Sequence, residues 1–350
     1  MSAVEMAETA PPPPLDTDLA ARLDGIHGGM RDVLLRHVIA IQEQRDATKA
    51  LSPVKRRRVE TRELMAEKRA EESDRHHIHS VLALCGLPYR EPGNGVREHL
   101  REYGKNSLAV QAGYLKDPVT GKMTPQGLPY GPKARLLLLH ICTMAIRQKR
   151  AEIEIADSMT AFIRDLGFAV TGGERGTVRQ FKEQLNRLAA ARMQIGLWHG
   201  DTATTINAQP IKAFDIWLPR DAEQRMLWSS TLRLDQDFFE SLRKHALPVD
   251  IRVLKAFSQS AKQIDMVMWL AYRLRRVERR YPISWNALAE QFGSNIKDAW
   301  RFRHSFAEDL AAIREVFPTL PVEITDQGVI LKPCDTERLF SAKGAKLLKA

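Results

Sequence analysis

The stretch Leu128-Pro-Tyr-Gly-Pro-Lys-Ala-Arg-Leu-Leu-Leu-Leu-His140 constrains this chain more than any other. Pro129, Gly131 and Pro132 make a turn, and Pro132 suits the first position of a helix, where its missing N–H costs nothing. From Lys133 to about Arg150 the residues favour helix, and Arg147, Lys149 and Arg150 complement its negative carboxyl end. Leu136 to Leu139 is apolar nearly all round, so this helix must be buried on most sides. A helix of that kind needs other elements packed around it.

Those elements follow in order. Glu152–Ile155 alternates as a short strand, and Ser158 caps a helix over 159–167 ended by Gly167. A turn at Thr171–Gly176 leads to a helix from Thr177 to about Arg192. Val178, Phe181, Leu185 and Leu188 form its apolar face; Arg179, Gln180, Lys182, Glu183, Asn186 and Arg187 lie opposite. Met193–Trp198 and Ile211–Leu218 then read as a hairpin. Helix, strand, helix, turn, amphipathic helix and hairpin is the order of a winged helix, whose second helix fits a major groove.

The order returns once. Leu232–Leu234 is a strand and Asp237–His245 a helix; a long helix is predicted over 249–279. Tyr281–Trp285 reads as a strand, and Ala287–Phe292 as a helix capped by Ser284 or Asn286. A further helix runs from Ser294–Asp298 to about Phe317, with Phe302, Phe306, Leu310 and Ile313 inward. Pro321–Thr325 and Val329–Lys332 close a second wing around Asp326–Gly328. The expected fold is α+β and mostly helical: two tandem winged-helix domains, 76–228 (also the dimerisation side) and 229–338. Residues 1–75 are an N-terminal extension, partly disordered, and 339–350 a tail.

Ahead of the repeat, residues 1–14 end in four prolines and read as an unfolded or polyproline leader. Leu19, Leu23, Ile26, Met30, Val33, His37 and Ala40 give a weak coiled-coil register opposed by Gly25, Gly28 and Gly29, each costing about 1 kcal/mol in a helix. Lys55–Arg58 reads as the solvated face of a charged helix. Residues 79–91 predict a buried strand and 108–115 a second, with a turn at Asp117–Gly121, so that a small hairpin precedes the helix opened by Pro132.

The net charge of +10, beneath an acidic first fifty residues, suggests a polyanionic partner. The three cysteines show no C-x-x-C spacing, which argues against a zinc site and for reduced thiols in a cytosol. No apolar run is long enough to span a bilayer. His77-Ile-His79 with Tyr130-Gly-Pro-Lys133 invites comparison with an HUH-type nicking enzyme, which holds a metal on paired histidines and attacks with a tyrosine. Gly131 and Pro132, however, put Tyr130 in a turn, and no nearby carboxylates complete a metal site.

The sequence resembles the RepA-type plasmid replication initiators. The resemblance rests on His79–Cys85, on Leu128–Gly131 with Ala134–Leu138, and on Phe162–Gly167. It continues through Arg175–Thr177, Phe214–Trp217 and Trp228–Pro248, and spans about residues 79–335. It implies iteron binding at a plasmid origin, a homodimer in equilibrium with a monomer, repression of its own gene, and recruitment of host helicase or initiator proteins in a bacterial cytoplasm. It implies no catalytic site, metal or cofactor. Helix-face reasoning supplies the expected contacts to double-stranded DNA: Arg179, Gln180, Lys182 and Arg187 in one groove, with Arg175 and Thr177 just ahead of them also on the DNA. Lys297, Arg301, Arg303 and His304 enter another, with Arg276, Arg279 and Arg280 on phosphates. A transcriptional regulator without an initiation role is the second reading.

Overall fold

The computed structural model describes residues 14–93, 95–117, 120–154, 163–164, 166–171, 173, 176–199, 201–214, 231–293 and 298–336. The chain divides into two compact units, residues 1–60 and 61–350.

In the first unit, α1 (Thr17–Ala20) continues through a single 3-10 turn to a reversal, and α2 (Gly29–Ala50) follows. Gly25 and Gly28 make the reversal with φ of +74° and +69°, a conformation that costs other residues energy. Leu19, Leu23 and Val38 are thereby buried together. Of the positions in the weak coiled-coil register, Leu19 and Leu23 turn inward within this unit, while Met30 stays 75% exposed and Val33 61%. The two glycines split the helix and shift the phase of its buried face. The polyproline leader up to residue 13 lies outside the described residues. Next comes α3 (Pro53–Glu67), which carries Lys55–Arg58.

The second unit opens with β1 (Arg75–His79) and α4 (Ser80–Cys85). The run expected as a strand over 79–91 is instead helix over Ser80–Cys85, followed by an irregular stretch. Val81 to Cys85 are all buried, so the segment lacks the one-sided pattern that separates helix from strand. β2 (Glu98–Tyr103) and β3 (Asn106–Gln111) form a hairpin, and β4 (Tyr114–Lys116) pairs with β5 (Met123–Pro125). α5 (Gly131–Gln148) is the helix opened by Pro132; Lys149, at φ +55°, ends it in the left-handed conformation. Next come β6 (Glu152–Glu154), α6 (Thr177–Ala190), β7 (Arg192–His199), β8 (Thr202–Ala208) and β9 (Ala213–Phe214). The sheet β2-β3-β7-β8 holds the first wing. The helix expected over 159–167 lies mostly outside the described residues.

β10 (Thr231–Arg233) sits between β6 and β9. α7 (Gln236–His245) starts at Asp235, whose carboxylate accepts the Asp237 and Phe238 N–H groups. The helix expected over 249–279 is broken into three pieces. β11 (Ala246–Asp250) pairs antiparallel with β1, burying Leu247 and Val249; α8 (Ile251–Ala256) and α9 (Ala261–Leu274) follow. Ser260 restarts the helix by accepting the Gln263 N–H. Last come β12 (Tyr281–Ser284), α10 (Trp285–Phe292), α11 (Ala299–Val316), β13 (Val322–Thr325) and β14 (Gly328–Leu331). The sheet order β12-β14-β13 behind α10 and α11 is that of a winged helix. The fold is α+β.

One continuous core runs from Met65 to Leu331, so the two winged parts are not separately packed. Their first helices, α5 and α9, are tied by Arg135 and Asp265. Arg135 Nε donates to Asp265 Oδ1 at 2.6 Å and Nη2 to Oδ2 at 2.8 Å. The carbonyls of Leu87, Pro88 and Gly131 take its remaining N–H groups. Gly86 makes room: at φ +53°, a side-chain carbon there would stand 2.6 Å from Asp265 Oδ2.

Candidate nucleic-acid interface

The second-wing helix α11 begins at Asp298, whose carboxylate accepts the Trp300 and Arg301 N–H groups at 2.8 and 3.2 Å. That cap fixes the first turn. Phe302, Phe306, Leu310 and Ile313 point inward, which puts Trp300, Arg301, Arg303 and His304 on the exposed side. Arg301 is 77% exposed, 3.8 Å from Asp298. Arg303 lies 5.7 Å over the Trp285 ring. His304 Nε2 is 3.3 Å from Glu308. Lys297 lies outside the described residues.

Sequence reasoning missed Trp300. It is 70% exposed, and its indole stacks on the His304 ring at 5.5 Å with an interplanar angle of 3°. A large apolar ring held flat in solvent beside two arginines is costly unless something covers it. The signal was present: Trp300 falls outside the Phe302–Phe306 apolar stripe.

On α6, Val178, Phe181, Leu185 and Leu188 are buried, leaving Arg179 and Gln180 exposed and Thr177 and Lys182 half-buried. Thr171 caps this helix: its hydroxyl accepts the Thr177 N–H at 3.0 Å and meets the Thr177 hydroxyl at 2.9 Å. Arg175 lies outside the described residues. Arg187, expected in the groove, instead holds the 127–130 turn. Its side chain is only 12% exposed, pairs with Glu91 and Glu183, donates to the Leu128 carbonyl and covers the Tyr130 ring at 4.9 Å. Two carboxylates and an aromatic face hold the guanidinium against its own fold. On the first wing, the exposed Trp198 lies 5.9 Å from the Lys105 ammonium.

Arg276, Arg279 and Arg280 stand in the turns after α9 rather than on a helix end, and all three are exposed. Arg276 lies 3.9 Å over Tyr272, and Arg280 pairs with Glu323 at 3.1 Å.

Two of the groups compared above with a nicking site, His79 and Tyr130, have other duties. His79 Nδ1 accepts the Val81 N–H, so Nε2 carries the proton and donates to Ser241 Oγ at 2.9 Å. Neither nitrogen is left for a metal. Tyr130 begins α5, and burial, with Glu91 3.4 Å from its hydroxyl, pushes the phenol above its ordinary range. An attacking phenolate needs the opposite shift. Among the described residues no helix is long and apolar enough to cross a membrane.

No curated protein matches the sequence. Among solved structures, domains 2 and 3 of RctB, crystallised as selenomethionine derivatives, superpose with a TM-score of 0.43 at 11% identity. That match covers 71% of this chain and 88% of the other. The family model described as plasmid-encoded RepA protein matches residues 128–287, from the turn before α5 into α10. Over those residues, a little under half of the chain, the sequence is similar to the plasmid-encoded RepA family.

Proposed function

We propose that the protein initiates plasmid replication by binding repeated duplex sites, one recognition helix of each winged part in a major groove. The exposed first turns of α11, with Trp300, Arg301, Arg303 and His304 on one side, carry this reading. Groove-reading helices present their amino-terminal residues to bases. Arg179 and Gln180 of α6, with Lys182 at their side, take a second groove about 34 Å along the duplex. Arg276 and Arg279 neutralise phosphates, and affinity falls steeply with salt. Binding on one face bends the duplex and opens an adjacent A·T-rich segment. The protein acts by binding, without a chemical step, as a dimer in exchange with monomer. It represses its own gene and recruits host helicase-loading proteins.

Footprinting on the DNA flanking the gene tests this reading: repeated sites support an initiator, and a lone operator the transcriptional regulator. Arg301→Ala lowers specific affinity by about 10- to 100-fold, the value of a lost base contact of about 1–3 kcal/mol. Trp300→Ala lowers it similarly, while thermal stability holds because both side chains are exposed. Arg187→Ala does the reverse, lowering Tm with little change in base preference. If Arg301→Ala and Arg179→Ala both leave specific affinity unchanged, the helix assignment fails.

A further inference from the structure

Between the start of α5 and the outer face of α6 lies a cleft of about 580 Å³. Tyr130, Pro132 and Lys133 form one wall; Arg179, Gln180 and Glu183 form the other. Glu183 is engaged by Arg187, which it shares with Glu91, so one carboxylate charge remains beside the two cations Lys133 and Arg179. Lys133 is the unusual member. Its ammonium lies 5.3 Å over the Phe168 ring and 5.9 Å over the Phe181 ring, and no carboxylate among the described residues pairs with it. Two aromatic faces stabilise a cation only partly, and they take away its water. Burial accordingly pulls the Lys133 ammonium below its ordinary range. A half-desolvated cation without a counter-ion, facing a cleft that also holds a guanidinium, is completed by an anion.

We infer that this cleft is a phosphate-binding site, with Lys133 and Arg179 as its cationic contacts. The phosphate comes either from a DNA backbone pressed against the outer face of α6 or from a free phosphate-bearing ligand. The DNA source rests on the DNA-binding reading above; the free source does not.

Two measurements on the full chain separate the sources. Calorimetric titration with inorganic pyrophosphate reads the free anion. Affinity for a short random-sequence duplex across a salt series reads backbone contacts. Lys133→Met keeps the apolar stem against Phe168 and Phe181 and removes a desolvated charge, so its Tm is equal to or above that of the wild type. It weakens pyrophosphate binding about 10- to 100-fold, matching a hydrogen bond to a charged group, or reduces the DNA salt slope by about one. Lys133→Arg restores either effect. Loss of pyrophosphate binding with an unchanged slope supports the site with a free ligand as its source; a reduced slope supports it with the DNA backbone as source. A wild type that binds pyrophosphate through Lys133 but no DNA sinks the DNA-binding reading and leaves the cleft standing. Equal pyrophosphate affinity and equal slope in wild type and Lys133→Met overturn the inference.

Discussion

Asp265→Ala lowers the unfolding free energy by about 3–5 kcal/mol, the usual cost of stripping one partner from a buried ion pair. Both side chains are nearly inaccessible, at 3% for Arg135 and 5% for Asp265, so solvent cannot take over the lost bonds. The substitution leaves a guanidinium with two N–H groups and a full charge inside the core. Because the pair ties α5 to α9, the first helices of both winged parts loosen together, and denaturant unfolding remains one transition at a lower midpoint. The double variant Arg135→Met with Asp265→Leu recovers most of the loss, since it removes both charges rather than stranding one. A loss below about 1 kcal/mol for Asp265→Ala would place the pair with exposed salt bridges and refute its role as a tie.

The protein unfolds more readily as the pH falls from 7.5 towards 5. His76 and His79, both in β1 and both buried, have pKa values pulled down by desolvation to about 4 and about 3. Arg147 adds to the shift at His76, and the His245 ring, 5.7 Å away, adds to that at His79. Both values lie below the unfolded value of about 6.5, so the unfolded chain binds protons first. Their stabilisation is complete above pH 6.5 and declines as the pH drops towards the folded values. Each group costs about 1.4 kcal/mol per pH unit in that window. Two groups over the roughly 1.5 units between pH 6.5 and 5 approach about 4 kcal/mol, a large fraction of the whole stability of many domains. His79→Asn keeps an acceptor for the Val81 N–H and removes one titration, so the urea midpoint depends less on pH. A midpoint that stays constant from pH 7.5 to 5 in the wild type would refute this account.

The second winged part was legible because its signals are local. Asp298 stands just ahead of an apolar stripe at helical spacing, and Asp326-Gln-Gly328 separates two short alternating runs. Two segments of the second unit, one at its front and one ahead of that wing, were not legible. Val81–Cys85 is buried on all sides, and Pro248 looks like a helix start although it lies within β11. What decides that segment is its pairing with β1, some 170 residues earlier. No local propensity carries that information.

The interface divides in the same way. Sequence periodicity alone determined which residues of α6 and α11 face outward, because a helix repeats every 3.6 residues wherever it is placed. It separated Arg179, Arg301 and Arg303 from the buried phenylalanines. Only the tertiary structure decided what meets those residues. Glu91, on a distant loop, takes Arg187 out of the groove-facing set. The turn at 130–133 turns the Arg179 face into one wall of a cleft. The ring of His304, one helical turn on, fixes the indole of Trp300 in the open. The helix that Pro132 opens was read from its own residues. Its tie to α9 rests on two charges 130 residues apart, which only the folded chain brings together.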